Sequence, residues 1–178
     1  MKTLTLLRHA KSGWDDPVTR DFDRPLNRRG RRAARTVGAE MRKLGLAFDR
    51  VLASPARRVV ETLEEVAETF GPLEPDYEQR LYLATTETLI ELLRATDESV
   101  ERLLLVGHNP GMECLALALS GGSDNALRGE IELKYPTGTL AEIALDVEGW
   151  WQVDQGCGKI TRFIRPRDLD PELGPDGT

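Results

Sequence analysis

Three short apolar runs alternate with stretches whose apolar residues recur at helical spacing, and that alternation restricts the fold most. The runs are residues 3–7 (TLTLL), 48–53 (FDRVLA) and 102–106 (RLLLV). Each is short and free of Gly and Pro, as a buried strand is. After the first run, residues 13–24 are polar, contain Pro17 and read as a loop. Asn27 is a good helix N-cap. Ala33, Ala34, Val37, Met41 and Leu44 then recur at helical spacing until Gly45 ends the helix. After the second run, Ser54-Pro55 reads as a cap and first turn. Val59, Leu63, Val66, Ala67 and Phe70 follow, and Gly71-Pro72 breaks the pattern.

The remaining segments extend the alternation. An extended piece is expected near 74–77 and a helix over 86–95, with Leu89, Leu92 and Leu93 inward. The third run ends in Gly107-His108-Asn109-Pro110-Gly111, and a helix over 112–120 follows. Residues 121–136 read as loop. Residues 139–145 and 150–154 alternate about 147–149, a hairpin signal, and 159–164 suits an edge strand. Residues 165–178 are rich in Pro, Asp and Gly and read as a flexible C-terminal tail. The pattern predicts an α/β protein of three layers, α/β/α, with a mainly parallel central sheet, helices on both faces and a C-terminal hairpin. One domain is expected over 1–164. In such sheets ligands bind beyond the carboxyl ends of the strands.

Bulk properties narrow the class. The 178 residues are 40% hydrophobic and 30% charged, as in ordinary globular proteins. Cys114 and Cys157 make no disulfide or zinc pattern. They read as reduced thiols, with Cys114 as small core filler. Trp150 and Trp151 read as hairpin packing. No leader or membrane span is visible, so a cytoplasmic location is expected. The net charge of −6 is uneven: residues 1–62 carry 15 Lys+Arg against 7 Asp+Glu, a balance of +8, and the rest carries −14. An acidic chain is a poor nucleic-acid binder, whereas its basic first third suits a small anionic substrate. Much of 28–35 reads as a solvated arginine-rich helix face.

The strand ends carry the chemistry. Arg8-His9 ends the first strand, Ser54 the second and His108 the third, with Arg58 one helical turn beyond Ser54. In a doubly wound sheet these ends share one edge, so two imidazoles and two guanidiniums converge. That set matches the oxygens of a phosphoryl group, and amides at the start of the helix after Asn109-Pro110 would add to it. Two histidines do not complete a zinc shell, and guanidiniums repel a cation. Ser12 and Ser54 lack a nucleophile-elbow context. Histidine remains as a covalent nucleophile.

Four segments then acquire a family resemblance. LLRHAKSGWD resembles the RHG-type motif of the histidine phosphatase, or phosphoglycerate-mutase-like, superfamily. DRPLNRRGRRAA resembles its L-T-x-x-G helix start through Leu26, Asn27 and Gly30. SPARRVVET resembles its S-x-x-x-R-x-x-x-T segment through Ser54, Arg58 and Thr62. LLLVGHNPGM resembles its second-histidine segment. The motifs follow the family order across residues 3–120, and their spelling is most similar to the SixA-type phosphohistidine phosphatase branch.

The resemblance implies a metal-independent, cofactor-free phosphatase with a phosphoglycerate-mutase-like fold. It implies His9 as the nucleophile, Arg8 and Arg58 on phosphate oxygens, His108 opposite His9, and Asn109 and Ser12 near the phosphate. Asp15 stands where the family often has asparagine. A proton donor is expected near 74–80, with Glu78 the candidate and Asp16 and Asp21 its rivals. Phosphohistidine of a protein is the substrate implied. The alternatives are a phosphomonoesterase for small esters and a non-catalytic phosphate- or phosphopeptide-binding module. Neither nucleic acid nor membrane is an expected partner.

Overall fold

The computed structural model describes residues 1–13, 16–17, 19–122 and 125–174. Six strands among them form one sheet: β1 (Lys2–Arg8), β2 (Arg50–Ala53), β3 (Pro75–Tyr77), β4 (Arg102–Gly107), β5 (Leu140–Leu145) and β6 (Gly158–Ile164). Their spatial order is β3-β2-β4-β1-β5-β6. The first four pair in parallel, and β5 runs antiparallel to both β1 and β6. The helices are α1 (Arg28–Lys43), α2 (Arg57–Phe70), α3 (Thr86–Arg94), α4 (Gly111–Leu119), α5 (Ala126–Leu133) and α6 (Pro166–Leu169).

β4 shows why the fold has three layers. Its side chains point alternately to opposite faces, and both faces are covered. Leu103 and Leu105 pack in a cluster with Leu89 and Leu93 of α3 and Leu115 of α4. Leu104 and Val106 join Val37 and Met41 of α1 and Val59 and Leu63 of α2. A strand buried on both sides is a continuous apolar run, which RLLLV is.

The register sets the position of the site. Arg8 lies opposite Gly107, and Ala53 opposite Val106, so the carboxyl ends of β1, β2 and β4 line one edge. Hydrogen bonding continues past the ends: the His9 N–H donates to the Gly107 carbonyl at 3.0 Å and the Ser54 N–H to that of Val106 at 3.1 Å. Because β5 is antiparallel, it begins at this same edge. Gly138 there has φ +73° and donates its N–H to the carbonyls of both Arg8 and His9.

Several local expectations are corrected. α2 begins at Arg57 rather than at Pro55, because Ser54 finishes the strand and its hydroxyl turns into the site. The expected loop over 121–136 contains α5, which hides one residue, Ile131, and so leaves little periodicity. Residues 150–154 form no strand. Trp150 opens a 3-10 turn and buries its indole, which donates to the Val100 carbonyl at 2.7 Å, while β6 pairs with β5. Trp151 is 64% exposed and packs no hairpin. Cys114 is also exposed, so it fills no core.

The C-terminal segment is fastened as far as Gly174. After α6 comes a 3-10 turn over Pro171–Leu173. Arg32 of α1 pairs with Asp170 and Glu172 at 2.5 and 2.7 Å. Arg31 meets Glu61 and Glu65 of α2. The arginine-rich face of α1 is therefore a set of ties to its neighbours. No described helix is long and apolar enough to cross a membrane.

Candidate active site

His9 and His108 face each other across the edge, their ring centroids 5.2 Å apart. Both are nearly buried, at 6% and 3% exposure. Arg58, equally buried, lies between them. Its Nε–H donates to His9 Nε2 at 3.3 Å and its Nη2 to His108 Nδ1 at 3.2 Å.

These contacts assign the protons. The Ala10 carbonyl accepts from His9 Nδ1–H at 2.7 Å, which leaves the lone pair on Nε2, inside the cleft. A guanidinium only donates, so His108 Nδ1 holds a lone pair and its proton sits on Nε2. That proton is donated to Ser54 Oγ at 2.8 Å. Burial holds His9 well below the usual imidazole range, although the Ala10 carbonyl pulls the other way; His108, Arg58 and Arg8 reinforce the fall. Burial, followed by the Arg58 charge, pushes His108 down to about 3. Both rings are neutral near pH 7.

The loop after β1 is held from two sides. Thr62 Oγ1 accepts the Ala10 N–H at 2.9 Å and donates to the Arg58 carbonyl at 2.6 Å. One hydroxyl thus ties the nucleophile loop to the helix bearing Arg58. On the other side, Asn27 caps α1 by accepting the Gly30 N–H at 2.8 Å. The Asn27 N–H donates to the Lys11 carbonyl at 3.0 Å. A Cβ at Gly30 would lie 2.1 Å from that oxygen, so only glycine allows the approach.

The surrounding cleft has a volume of about 440 Å³ and is lined by Arg8, Lys11, Ser12, Asp21, Arg24, Leu83, Asn109 and Thr137 besides the central trio. Arg8 donates to the Tyr135 carbonyl at 2.8 Å, which aims it along the cleft. Ser12 Oγ accepts from Arg24 at 2.6 Å. Asn109 donates to the Tyr135 carbonyl at 3.1 Å and accepts the Glu113 N–H at 3.2 Å. The Met112 amide is taken by the His108 carbonyl at 2.9 Å. The amides of Met112 and Glu113 in the first turn of α4 are thus committed within the chain.

Carboxylates are distributed differently from the expectation. Glu78 is not among the residues lining the cleft; Arg80 holds its carboxylate at 2.7 Å and keeps its pKa low. Asp16 lines a separate hollow beside Pro25 and Asn27. Asp15 lies outside the described residues. Asp21 does reach the cleft. It meets Arg58 at 3.0 Å and Arg24 at 3.0 Å and accepts from the Tyr82 hydroxyl at 2.5 Å. Burial alone would raise its pKa, but the Tyr82 hydrogen bond and the arginines outweigh burial and lower it to about 2. Tyr82, Arg24 and Tyr135 were not singled out in the sequence. The Asp21–Arg24 spacing of three is the one local signal for any of them. Among the described residues no three His, Cys, Asp or Glu side chains gather as a metal site requires.

A neutral imidazole with an in-cleft lone pair, flanked by guanidiniums, suits attack on a phosphoryl group. Comparisons with known proteins agree. The family described as the histidine phosphatase superfamily (branch 1) matches residues 4–82. A protein assigned as the phosphohistidine phosphatase SixA of Agrobacterium tumefaciens is 32% identical, with a TM-score of 0.77 over 93% of this chain and 98% of that one. A second structure so assigned, from Nakamurella multipartitia, is 26% identical, with a TM-score of 0.81 over 93% and 96%. An uncharacterized protein of Mycobacterium tuberculosis is 39% identical over 164 residues, 90% of this chain and 100% of its own. This chain belongs to the histidine phosphatase superfamily and is a phosphatase that works through a catalytic histidine. Its sheet and flanking helices are those of the phosphoglycerate-mutase-like fold.

Proposed function

We propose that the protein removes phosphoryl groups from phosphohistidine in another protein, in the cytoplasm, with His9 as nucleophile. The observation that carries the substrate is the state of Asp21. Among the described residues lining the cleft it is the carboxylate present, and Arg58, Arg24 and Tyr82 hold it as an anion. A carboxylate with a pKa of about 2 holds no proton near pH 7 and serves poorly as a general acid. Ester hydrolysis needs such an acid to protonate the departing alkoxide. Phosphohistidine does not, because its imidazole leaves as a neutral ring once solvent has protonated the ring's other nitrogen.

The geometry supports the following steps. His9 Nε2 attacks phosphorus as the substrate's P–N bond breaks. Arg8 and Arg58 balance the charge on the equatorial oxygens. His108 lies across the cleft from His9, beside the transferring group. Water then attacks the phosphorylated His9, orthophosphate leaves, and the lone pair returns to Nε2. Ser12 and Asn109 border the path of the phosphoryl group and help shape it.

The test compares a phosphohistidine protein with a phosphoserine peptide and p-nitrophenyl phosphate, for wild type and His9→Ala. Rapid loss of phosphohistidine, slow ester turnover and inactivity of the variant are expected. Ester turnover that matches phosphohistidine turnover would favour a phosphomonoesterase and overturn the argument from Asp21.

A further inference from the structure

A second hollow, of about 290 Å³, adjoins the cleft and shares Arg8, Lys11 and Thr137 with it. Six cationic residues line it: Arg8, Lys11, Arg29, Lys134, Arg165 and Arg167. Among the described residues that line it none is acidic. Its apolar surface comes from Ala33, Pro136, Pro166 and Leu173.

The cations are only partly balanced. Arg165 pairs with Asp168 at 3.0 Å and meets Glu130 at 3.9 Å. Arg29 donates to the carbonyls of Glu172 and Gly174, which orient its guanidinium without cancelling the charge. Lys11, Lys134 and Arg167 make no ion pair among the described residues. Elsewhere the arginines do find acids, as Arg31, Arg32 and Arg102 illustrate. Burial, then Arg29 and Lys134, lowers the Lys11 pKa, as happens when like charges are gathered without a counter-ion. The wall is firm: Arg32 staples the C-terminal segment to α1. Pro166 comes so close to Gly138 that a Cβ there would lie 3.0 Å from its ring.

We propose that this hollow holds a second acidic group of the substrate, on an apolar stem, while the phosphoryl group occupies the cleft. The protein would then select substrates that are anionic at two points. In a phosphohistidine protein that second group is the carboxylate of a neighbouring acidic side chain, and that assignment alone rests on the substrate reading above. A small phosphate with a second acid presents the same chemistry.

The test measures binding by calorimetry on the full chain, so it needs no turnover. The ligands are methylphosphonate, phosphonoalkanoic acids of graded length, their methyl esters and the matching bisphosphonates. At the best length a second acid should tighten binding about tenfold over the methyl ester in wild type, the scale of one charge-assisted contact. Lys134→Glu and Arg167→Glu should each cut that ratio to within about twofold, with methylphosphonate as the reference in each protein. Lys134 is exposed, so its reversal does not disturb packing. An equal gain from carboxylates and bisphosphonates assigns the hollow to acidic side chains; a gain from bisphosphonates alone assigns it to a second phosphate. No gain at any length, or a gain untouched by both reversals, overturns the proposal. A protein that hydrolyses phosphohistidine without such a gain loses only the subsite. One that shows the gain but spares phosphohistidine loses only the substrate reading.

Discussion

Acidifying this protein titrates two imidazoles that its fold keeps uncharged. In the unfolded chain each ring takes up a proton near its ordinary value of about 6.5. In the folded state burial holds His9 well below that value and His108 at about 3. Between those limits the unfolded state binds protons that the folded state refuses, so stability is full above about pH 6.5 and falls as pH drops. From about pH 7.5 to about pH 5 the His108 ring costs about 2 kcal/mol, and His9 adds a loss of the same sign. Asp21 has the same sign in a lower window, between its ordinary carboxylate value and about 2, and leaves this range clear. Urea denaturation across the range, followed by the fluorescence of the buried Trp150, measures the loss. His9→Gln and His108→Gln should each remove part of it. A wild-type stability flat to within about 1 kcal/mol would refute the neutral-imidazole assignment and the resting lone pair on His9 Nε2.

Three substitutions probe other parts of the same site. Thr62→Val removes both bonds of a buried hydroxyl and orphans the Ala10 N–H. It should cost about 2–3 kcal/mol, a fall of about 4–12 °C in Tm by scanning calorimetry, while Thr62→Ser keeps most of the stability. Gly30→Ala drives a methyl group to within 2.1 Å of the Lys11 carbonyl. The loop must move, with a loss of about 1–3 kcal/mol in urea unfolding and weaker orthophosphate binding. Asp21→Asn withdraws a negative charge from the cleft, so orthophosphate should bind several-fold more tightly by calorimetry. Phosphohistidine turnover should stay within about tenfold of wild type, and a fall beyond about 100-fold would instead identify Asp21 as the proton donor.

The central layer was legible because its strands are buried on both faces. RLLLV has no polar side to confuse with a helix, and its neighbours bury the same kind of run. The meeting of His9, Arg58 and His108 followed from three strand ends at one sheet edge. What escaped notice depended on partners distant in sequence. Tyr82 matters only because the Asp21 loop folds over it. Trp150 looked like a strand residue, yet its indole answers a carbonyl 50 residues earlier. The C-terminal segment resembled a loose tail because its anchors, Arg29 and Arg32, lie on α1.

The placing of β1 has a consequence for how the chain is made. This first strand carries Arg8 and leads into His9, yet its two sheet neighbours come much later: Thr3 pairs with Arg102 and Lys2 with Leu145. During synthesis its β4 edge stays open until about three-fifths of the chain exists and its β5 edge until about four-fifths. Such non-local pairing slows folding. The Arg8 guanidinium gains its Tyr135 acceptor only as the chain nears β5, later than the His9 ring gains Arg58 and His108.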